Sequence, residues 1–355
     1  GFFPGASIGW NVHEEDFWKD MDADAFRLKL RGSYGVNGNI TGMGPYTAQG
    51  EYAVGEGRYM WVNGIANTVL PNEDLQWEES KTFDVGVDVG LFDQRVDVIF
   101  DYFNRRTDDL ITQLPMPLSS GFDVITTNYG SLNNRGIEVE VKVQVMPKRS
   151  ELQWELGFNA SHVKTKIRKL PENGVERNRV GGYYAWNPEI NDYDWVGGLQ
   201  EGGRIGDLFA WKSLGIYATD EEAKADPVVD MMDPYEDKTK YGGDTRWNDA
   251  DGNGQIDEKD ICYMGNTYPK WTGGISSSWS WKNFDLYLRM DYMTGHTIFN
   301  EQKIFLCGRW AGNLNIPQEM IDKSWKKQGD VAALPVYIPN EDYNLWRGGD
   351  WYGLG

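Results

Sequence analysis

Long apolar runs are missing from this 355-residue chain: nowhere do about 18 apolar residues follow one another, so no transmembrane helix is encoded. A mean hydropathy of −0.59 does not by itself exclude a membrane protein, because a β-barrel crosses with alternating strands whose signal is weak. Cysteine is scarce. Cys262 and Cys307 are too few for a disulfide framework and lack the paired spacing of a zinc site, which leaves a single bridge between loops open. The three histidines, His13, His162 and His296, form no metal-ligand pair. His162 falls on the apolar parity of its segment near its end, as an interfacial or loop-packing residue would. Basic charge is short too: 35 Lys and Arg stand against 54 Asp and Glu, a net charge of −19, which excludes nucleic acid held through its phosphates. No glycine-rich phosphate loop leads from a strand into a helix, and no G-x-S-x-G occurs. With 54 carboxylates, no particular pair is singled out for glycoside hydrolysis.

Aromatic residues and glycine are abundant. There are 16 Trp, 19 Tyr and 14 Phe, with 42 Gly, well above the usual glycine share of about 7%. That composition suits strands and turns better than helices. Strict two-residue alternation confirms this preference, because successive strand residues face opposite sides. From Phe26 to Val36 the residues Phe26, Leu28, Leu30, Tyr34 and Val36 alternate with Arg27, Lys29, Arg31 and Ser33. The same pattern predicts strands over Trp77 to Leu91, Val96 to Tyr102, Ile137 to Val145, Leu152 to Ser161, Trp271 to Trp281 and Phe284 to Tyr292. Ala6 to Val12 is a further candidate, and the acidic stretch after it suits a short helix.

The links between these strands alternate in length. They are a few residues after Leu91, Val145 and Trp281, and tens of residues after Val36, Phe103, His162 and Tyr292. Tight periplasmic turns opposite long extracellular loops are the habit of a transmembrane antiparallel β-barrel. The alternative is a secreted, calcium-containing, carbohydrate-binding β-sandwich, for which links of tens of residues are awkward.

One loop, residues 249–260, carries the spacing of a calcium site. Asp249, Asp251 and Asn253 stand at positions 1, 3 and 5, Gly254 permits the sharp turn, the Gln255 carbonyl is at 7, Asp257 at 9 and Asp260 at 12. Ile256 would anchor the loop. Position 12 is not the usual bidentate Glu, and no EF-hand helices flank it. The bland reading is a solvated acidic turn, because Asp220 to Asp260 holds 14 acidic and 5 basic residues. A divalent cation, Ca2+, in a structural role is the expectation. Tyr183, Tyr184, Trp186, Tyr193 and Trp195 lie together in the same long link, with Trp310, Trp325, Trp346 and Trp351 further on. Exposed aromatics of this kind stack on sugar rings or clamp peptides; otherwise they pack loops or form an interfacial girdle.

Several stretches carry a family resemblance in order and spacing. They are Phe3-Pro4 with Ser7-Ile8-Gly9-Trp10, Leu28 to Gly35, Leu75 to Glu78 leading into Asp84 to Asp88, and Asp101-Tyr102-Phe103 with Thr107 to Leu110. Asn128 to Ser131, Asn134 to Glu138 and Lys282 to Leu286 continue the series. The chain resembles the SusC/RagA family of TonB-dependent outer-membrane transporters. The resemblance implies a large plugged barrel of the 22-stranded kind, all-β and not an enzyme, in the cell outer membrane. It also implies import of oligosaccharides or peptides, with a SusD-like surface lipoprotein and TonB as partners and outer-membrane lipid around the apolar face. The TonB box, plug domain and first strands of the family are not found here, and the chain opens Gly-Phe-Phe-Pro. Residues 1–355 are therefore expected to be the C-terminal part of a barrel, with 163–270 a long extracellular loop region.

Overall fold

A computed structural model describes residues 1–18, 26–232, 238–304 and 317–336. Eight strands form one sheet: β1 (Gly5–Asn11), β2 (Phe26–Asn39), β3 (Glu78–Leu91), β4 (Val96–Asp108), β5 (Ser131–Gln144), β6 (Leu152–Lys169), β7 (Trp271–Trp281) and β8 (Phe284–Thr294). Each pairs antiparallel with its neighbour in sequence, so the sheet is a meander. In the described part of the acidic stretch after β1, Val12–Glu14 and Asp16–Trp18 form two short 3-10 turns; the rest of that stretch, 19–25, lies outside the described residues. Among the described residues no helix is long and apolar enough to cross a membrane. The chain divides into two compact units. The first comprises Gly1–Arg179, Leu199–Ile205 and Pro269–Gly295 and holds the sheet; the second comprises Val180–Gly198, Gly206–Tyr268 and the described part of His296–Gly355.

The alternation read from single strands becomes a property of the whole sheet because the register holds through the apolar rows, and shifts only at the far end of the β5–β6 pairing, between Ile167 and Lys169. Leu28, Val89, Val98, Val141, Phe158, Ile275 and Met290 stand directly opposite one another in one continuous row. Leu30, Val87, Phe100, Val139, Ala160, Gly273 and Tyr292 form the next row on that face. Between them runs Lys29, Asp88, Ile99, Glu140, Asn159, Gly274 and Asp291, on the other face. Few of the apolar residues are covered. Among the described residues of this unit the buried apolar side chains are Val12, Val36, Ala160 and Ile167, whereas Phe158, Ile275, Leu288 and Met290 are exposed. A sheet that leaves its apolar rows open has no core of its own on that side, and hydrocarbon is the solvent that suits it.

Aromatic residues bracket the apolar rows. At the turn end Trp154 stacks on Trp279 at 6.1 Å, and Trp281 on Phe284 at 6.4 Å. At the opposite end His162 lies 4.9 Å from Trp271, and its Nδ1 meets the Lys270 carbonyl. Trp271 and Trp281 are separated by about ten residues of β7, roughly 34 Å of strand, or about 26 Å once tilted by ~40°. That matches the height of the apolar band of an outer-membrane barrel, about 25 Å.

The polar face is organised by charge. Arg31 donates from Nε and Nη2 to the Oδ1 atoms of Asp88 and Asp101, each at 2.8 Å. To reach Asp101 its guanidinium lies over Gly86, where a Cβ would stand 2.1 Å from the Asp101 carboxylate and 2.6 Å from the guanidinium. Strand-to-strand links follow the expected asymmetry: 92–95, 145–151 and 282–283 are short, and 40–77, 109–130 and 170–270 are long. β6 continues past the predicted Ser161 to Lys169, so the longest link starts at 170 and not 163.

The rows give a direct test. In protein folded into lipid vesicles, Phe158→Arg should cost about 2–4 kcal/mol of folding free energy in a urea titration, and Asn159→Arg, one residue on and on the polar face, very little.

Candidate metal centre and aromatic face

The second unit is built from short pairings. Tyr183–Asn187 forms a hairpin with Asp192–Val196, Asp207–Ala210 pairs with Cys262–Asn266, and Ser213–Ile216 with Thr245–Trp247. Val229–Asp230 runs parallel to Gln255–Ile256 and fixes the acidic loop at its middle. Ile256 is buried, as an anchor requires. The parallel pairing uses the carbonyls of Gly254 and Ile256, which accept from Val229 and Met231 at 2.9 and 3.0 Å. Because successive strand carbonyls alternate, that of Gln255 points away from this pairing.

Local hydrogen bonds fold the loop around its carboxylates. Asp249 Oδ1 accepts from the backbone N–H of Gly252 at 2.9 Å, and Oδ2 from that of Gly254 at 2.8 Å. Asp251 Oδ1 accepts from Asn253 N–H at 3.0 Å, and Asn253 Oδ1 from Gln255 N–H at 2.7 Å. Gly254 sits at φ +81°, the left-handed region that this turn demands. Asp257 caps a 3-10 turn, Glu258–Asp260, through a reciprocal capping box with Asp260. Asp260 is fully buried, accepting from Ala250 N–H at 2.8 Å and Asp257 N–H at 2.7 Å.

Asp249, Asp251 and Asp260 each offer a carboxylate oxygen within 4.8 Å of the others. Asp257 is outside this trio, its Oδ1 taken by Lys259 N–H at 2.7 Å. Burial pushes the Asp260 carboxyl above its ordinary value against the pull of the Asp257 and Ala250 N–H groups, and the charges of Asp251 and Asp257 add to the rise. Burial acts on Asp251 in the same sense, but the Tyr193 hydroxyl and the Asn253 N–H outweigh it and hold that carboxyl below the usual range. Hard oxygen donors, with the Gln255 carbonyl turned away from its strand partner, are the set that Ca2+ takes.

The aromatic residues separate by parity. Tyr184 lies opposite Trp195, and Trp186 opposite Tyr193, so these four share one face of the hairpin, while Tyr183, opposite Val196, is on the other. Tyr184 stacks on Tyr193 at 5.8 Å, Trp186 meets Tyr193 edge-on at 5.4 Å, and Tyr184 is about half exposed. The Tyr193 hydroxyl donates to Asp251 Oδ2, and this bond pushes the phenol up to about 12. Lys259 Nζ lies 5.4 Å from the centre of the Tyr193 ring. Aromatic face and acidic loop are thus one assembly, a link that nothing in the sequence spacing signals.

A second cluster escaped sequence reasoning altogether. Asp226 accepts from the buried Tyr217 hydroxyl at 2.8 Å and from Val228 N–H at 2.9 Å, and pairs with Lys240 at 3.5 Å and Arg246 at 3.3 Å. Burial pushes Asp226 up, but the Val228 N–H, the Tyr217 hydroxyl and the two cations hold it below the ordinary carboxylate range. Lys240 also donates to the carbonyls of Asp226 and Val228 at 2.9 and 2.6 Å. Trp325 donates from Nε1 to the Ala218 carbonyl at 3.0 Å, a packing role. The Cys262 thiol donates to the Asp260 carbonyl at 3.3 Å. Cys307, Trp310, Trp346 and Trp351 lie outside the described residues.

Residues 1–315 match the family described as TonB dependent receptor-like, beta-barrel. TonB-dependent receptor P3 of Formosa agariphila is 31% identical over 342 residues, covering 94% of this chain and 32% of that protein. TonB-dependent receptor SusC of Bacteroides thetaiotaomicron is 25% identical over 387 residues, covering 100% of this chain and 35% of that protein. The chain therefore spans about a third of the length of these curated relatives. Among solved structures, the RagAB peptide transporter shares the fold at a TM-score of 0.67 and 21% identity, over 94% of this chain and 34% of that one.

The Asp226 clamp carries a pH signature. A carboxylate whose folded value is depressed adds stability above its unfolded value near 4 and loses it as pH falls through the folded value. Hydrogen-exchange protection around 217–246 should therefore drop below about pH 4, and Asp226→Asn should lower protection at neutral pH and flatten that dependence.

Proposed function

Because the chain belongs to the TonB-dependent receptor β-barrel family, we propose that it forms part of an outer-membrane importer of oligosaccharides or peptides, energised through TonB and working with a SusD-like surface lipoprotein. Family members are outer-membrane proteins, and the exposed apolar rows of the sheet are the surface that lipid wets. The polar face, with Arg31 bridging Asp88 and Asp101, then lines the lumen. No catalytic role is needed for this reading.

The observation that carries the cargo class is the aromatic face of Tyr184, Trp186, Tyr193 and Trp195. Flat rings on one side of a hairpin match the apolar faces of sugar rings. The acidic stretch Asp220 to Asp260 repels polyanions, so a neutral oligosaccharide is the favoured cargo. A peptide is the second reading, favoured by the likeness to RagAB, which is a peptide transporter. In the whole protein with its lipoprotein, calorimetry against neutral oligosaccharides and against peptides separates the two. Tyr184→Ala and Trp186→Ala should each weaken oligosaccharide binding about 5- to 10-fold, roughly 1–1.5 kcal/mol, and Tyr183→Ala should leave it unchanged. Equal binding by all three variants would remove the aromatic face from the site.

The loop 249–260 is proposed to hold Ca2+ as a structural ion, with Asp249, Asp251, Asp260, the Gln255 carbonyl, Asn253 and, after leaving its cap, Asp257 as its oxygen ligands. Its service would be to neutralise clustered carboxylates and rigidify the support on which Tyr193 rests. Adding a calcium chelator to the whole protein should expose 245–262 to limited proteolysis. Asp249→Ala should have the same effect with calcium present, and unchanged cleavage in both would refute the ion.

A further inference from the structure

The outward face of the sheet does not end at its aromatic girdle. On β6 the residues of that face run Phe158, Ala160, His162 and then Lys164 and Lys166, so the first Lys stands one pleat, about 6.8 Å, beyond the His162–Trp271 pair. On β5 the same face runs Val139, Ile137 and then Arg135. Arg135 and Lys164 are directly opposite each other in the register, and Lys166 follows on the same side. All three are exposed.

Such a placement is unfavourable by itself. Like charges directly opposite on a sheet repel, and here no compensation is at hand. Lys81 and Arg106, which share this face, are engaged with Glu79 and Asp108 at 2.8 to 3.8 Å. Lys169 lies over the Tyr129 ring at 4.7 Å. Arg135, Lys164 and Lys166 have no acidic partner among the described residues. A trio of unpaired cations in a chain of net charge −19 therefore sits where the apolar band stops, on the side of the long links.

We propose that Arg135, Lys164 and Lys166 form a binding site for a phosphate-bearing lipid headgroup of the outer leaflet. The inference rests on reading the chain as an outer-membrane barrel whose long links are extracellular. A lipid on this face would lay its acyl chains along Phe158, Ile275 and Met290, and its phosphate would come level with the cations one pleat beyond the girdle. Arg135 supplies a planar fork that can hold two phosphate oxygens, and the two Lys supply point charges around it. The headgroup removes the like-charge repulsion that the register imposes.

The test uses the whole protein in nanodiscs, with native mass spectrometry of the lipid retained on detergent release. The probe is a diphosphorylated glycolipid, compared with its dephosphorylated form and with excess inorganic phosphate as competitor. Wild-type protein should retain the phosphorylated lipid, and the triple variant Arg135→Gln, Lys164→Gln, Lys166→Gln should retain about tenfold less or lower. Lys164→Arg with Lys166→Arg should keep retention, which guards against a folding defect. Equal retention by the triple variant, equal retention of the dephosphorylated lipid, or displacement by inorganic phosphate would each overturn the site. Recovery of the protein in the outer-membrane fraction is scored separately: its failure overturns the barrel reading, whereas membrane recovery without lipid preference overturns this site alone.

Discussion

A β-strand has a side-chain period of two, and a slip of one residue between neighbours would carry every Lys, Asp and Glu of the polar face across to the apolar one. The sheet of this protein depends on avoiding that slip six times over, from Leu28 and Val89 through to Ile275 and Met290. The penalty for failure is large because the apolar face is offered to lipid, where an unpaired charge costs several kcal/mol. Register is therefore enforced by the environment as much as by the turns. Arg31 adds a local lock, since its bridge to Asp88 and Asp101 across Gly86 exists in one register only.

The second unit obeys a different rule. Its pairings are two to five residues long, too short to organise it by backbone alone, and its buried apolar residues are scattered. Polar contacts do much of the holding. Asp226 gathers a phenol, an N–H and two cations, and Asp249 and Asp260 bind the backbone of their own loop. Buried polar groups of this kind are costly unless fully satisfied, and they specify one arrangement when they are. A loop region so built can present the Tyr184 face with little hydrophobic core behind it.

The two units also divide the chemistry that the surroundings must supply. The sheet needs apolar solvent on one side and closure along the outer edges of β1 and β8, where backbone groups would otherwise go unpaired in lipid. The acidic loop gathers carboxylates instead, with oxygens of Asp249, Asp251 and Asp260 within 4.8 Å of one another, and the proposed Ca2+ would balance them. Family membership agrees with the sheet's need, since barrels of TonB-dependent receptors are closed sheets.

Strand existence, face and order were legible in the sequence because alternation is a local property, set by the chemistry of residues two apart. Val96, Val98 and Phe100, or Ile137 to Val143, declare one apolar side wherever they are placed. The ends were less legible: β6 runs on to Lys169 because its partner β5 continues to Ser131, and pairing, not hydrophobicity, extends a strand past the membrane. The calcium-type spacing of 249–260 was equally local, since Asp249, Asp251 and Asn253 accept from backbone N–H groups two to five residues away. What only the tertiary structure decided were contacts between distant residues. Tyr193 meets Asp251 and Tyr217 meets Asp226, and hairpin register sets Tyr184 opposite Trp195 and Trp186 opposite Tyr193. Arg135 is set beside Lys164 by the pairing of β5 with β6. Spacing along a chain cannot report these, because they depend on which strands pair and in what register.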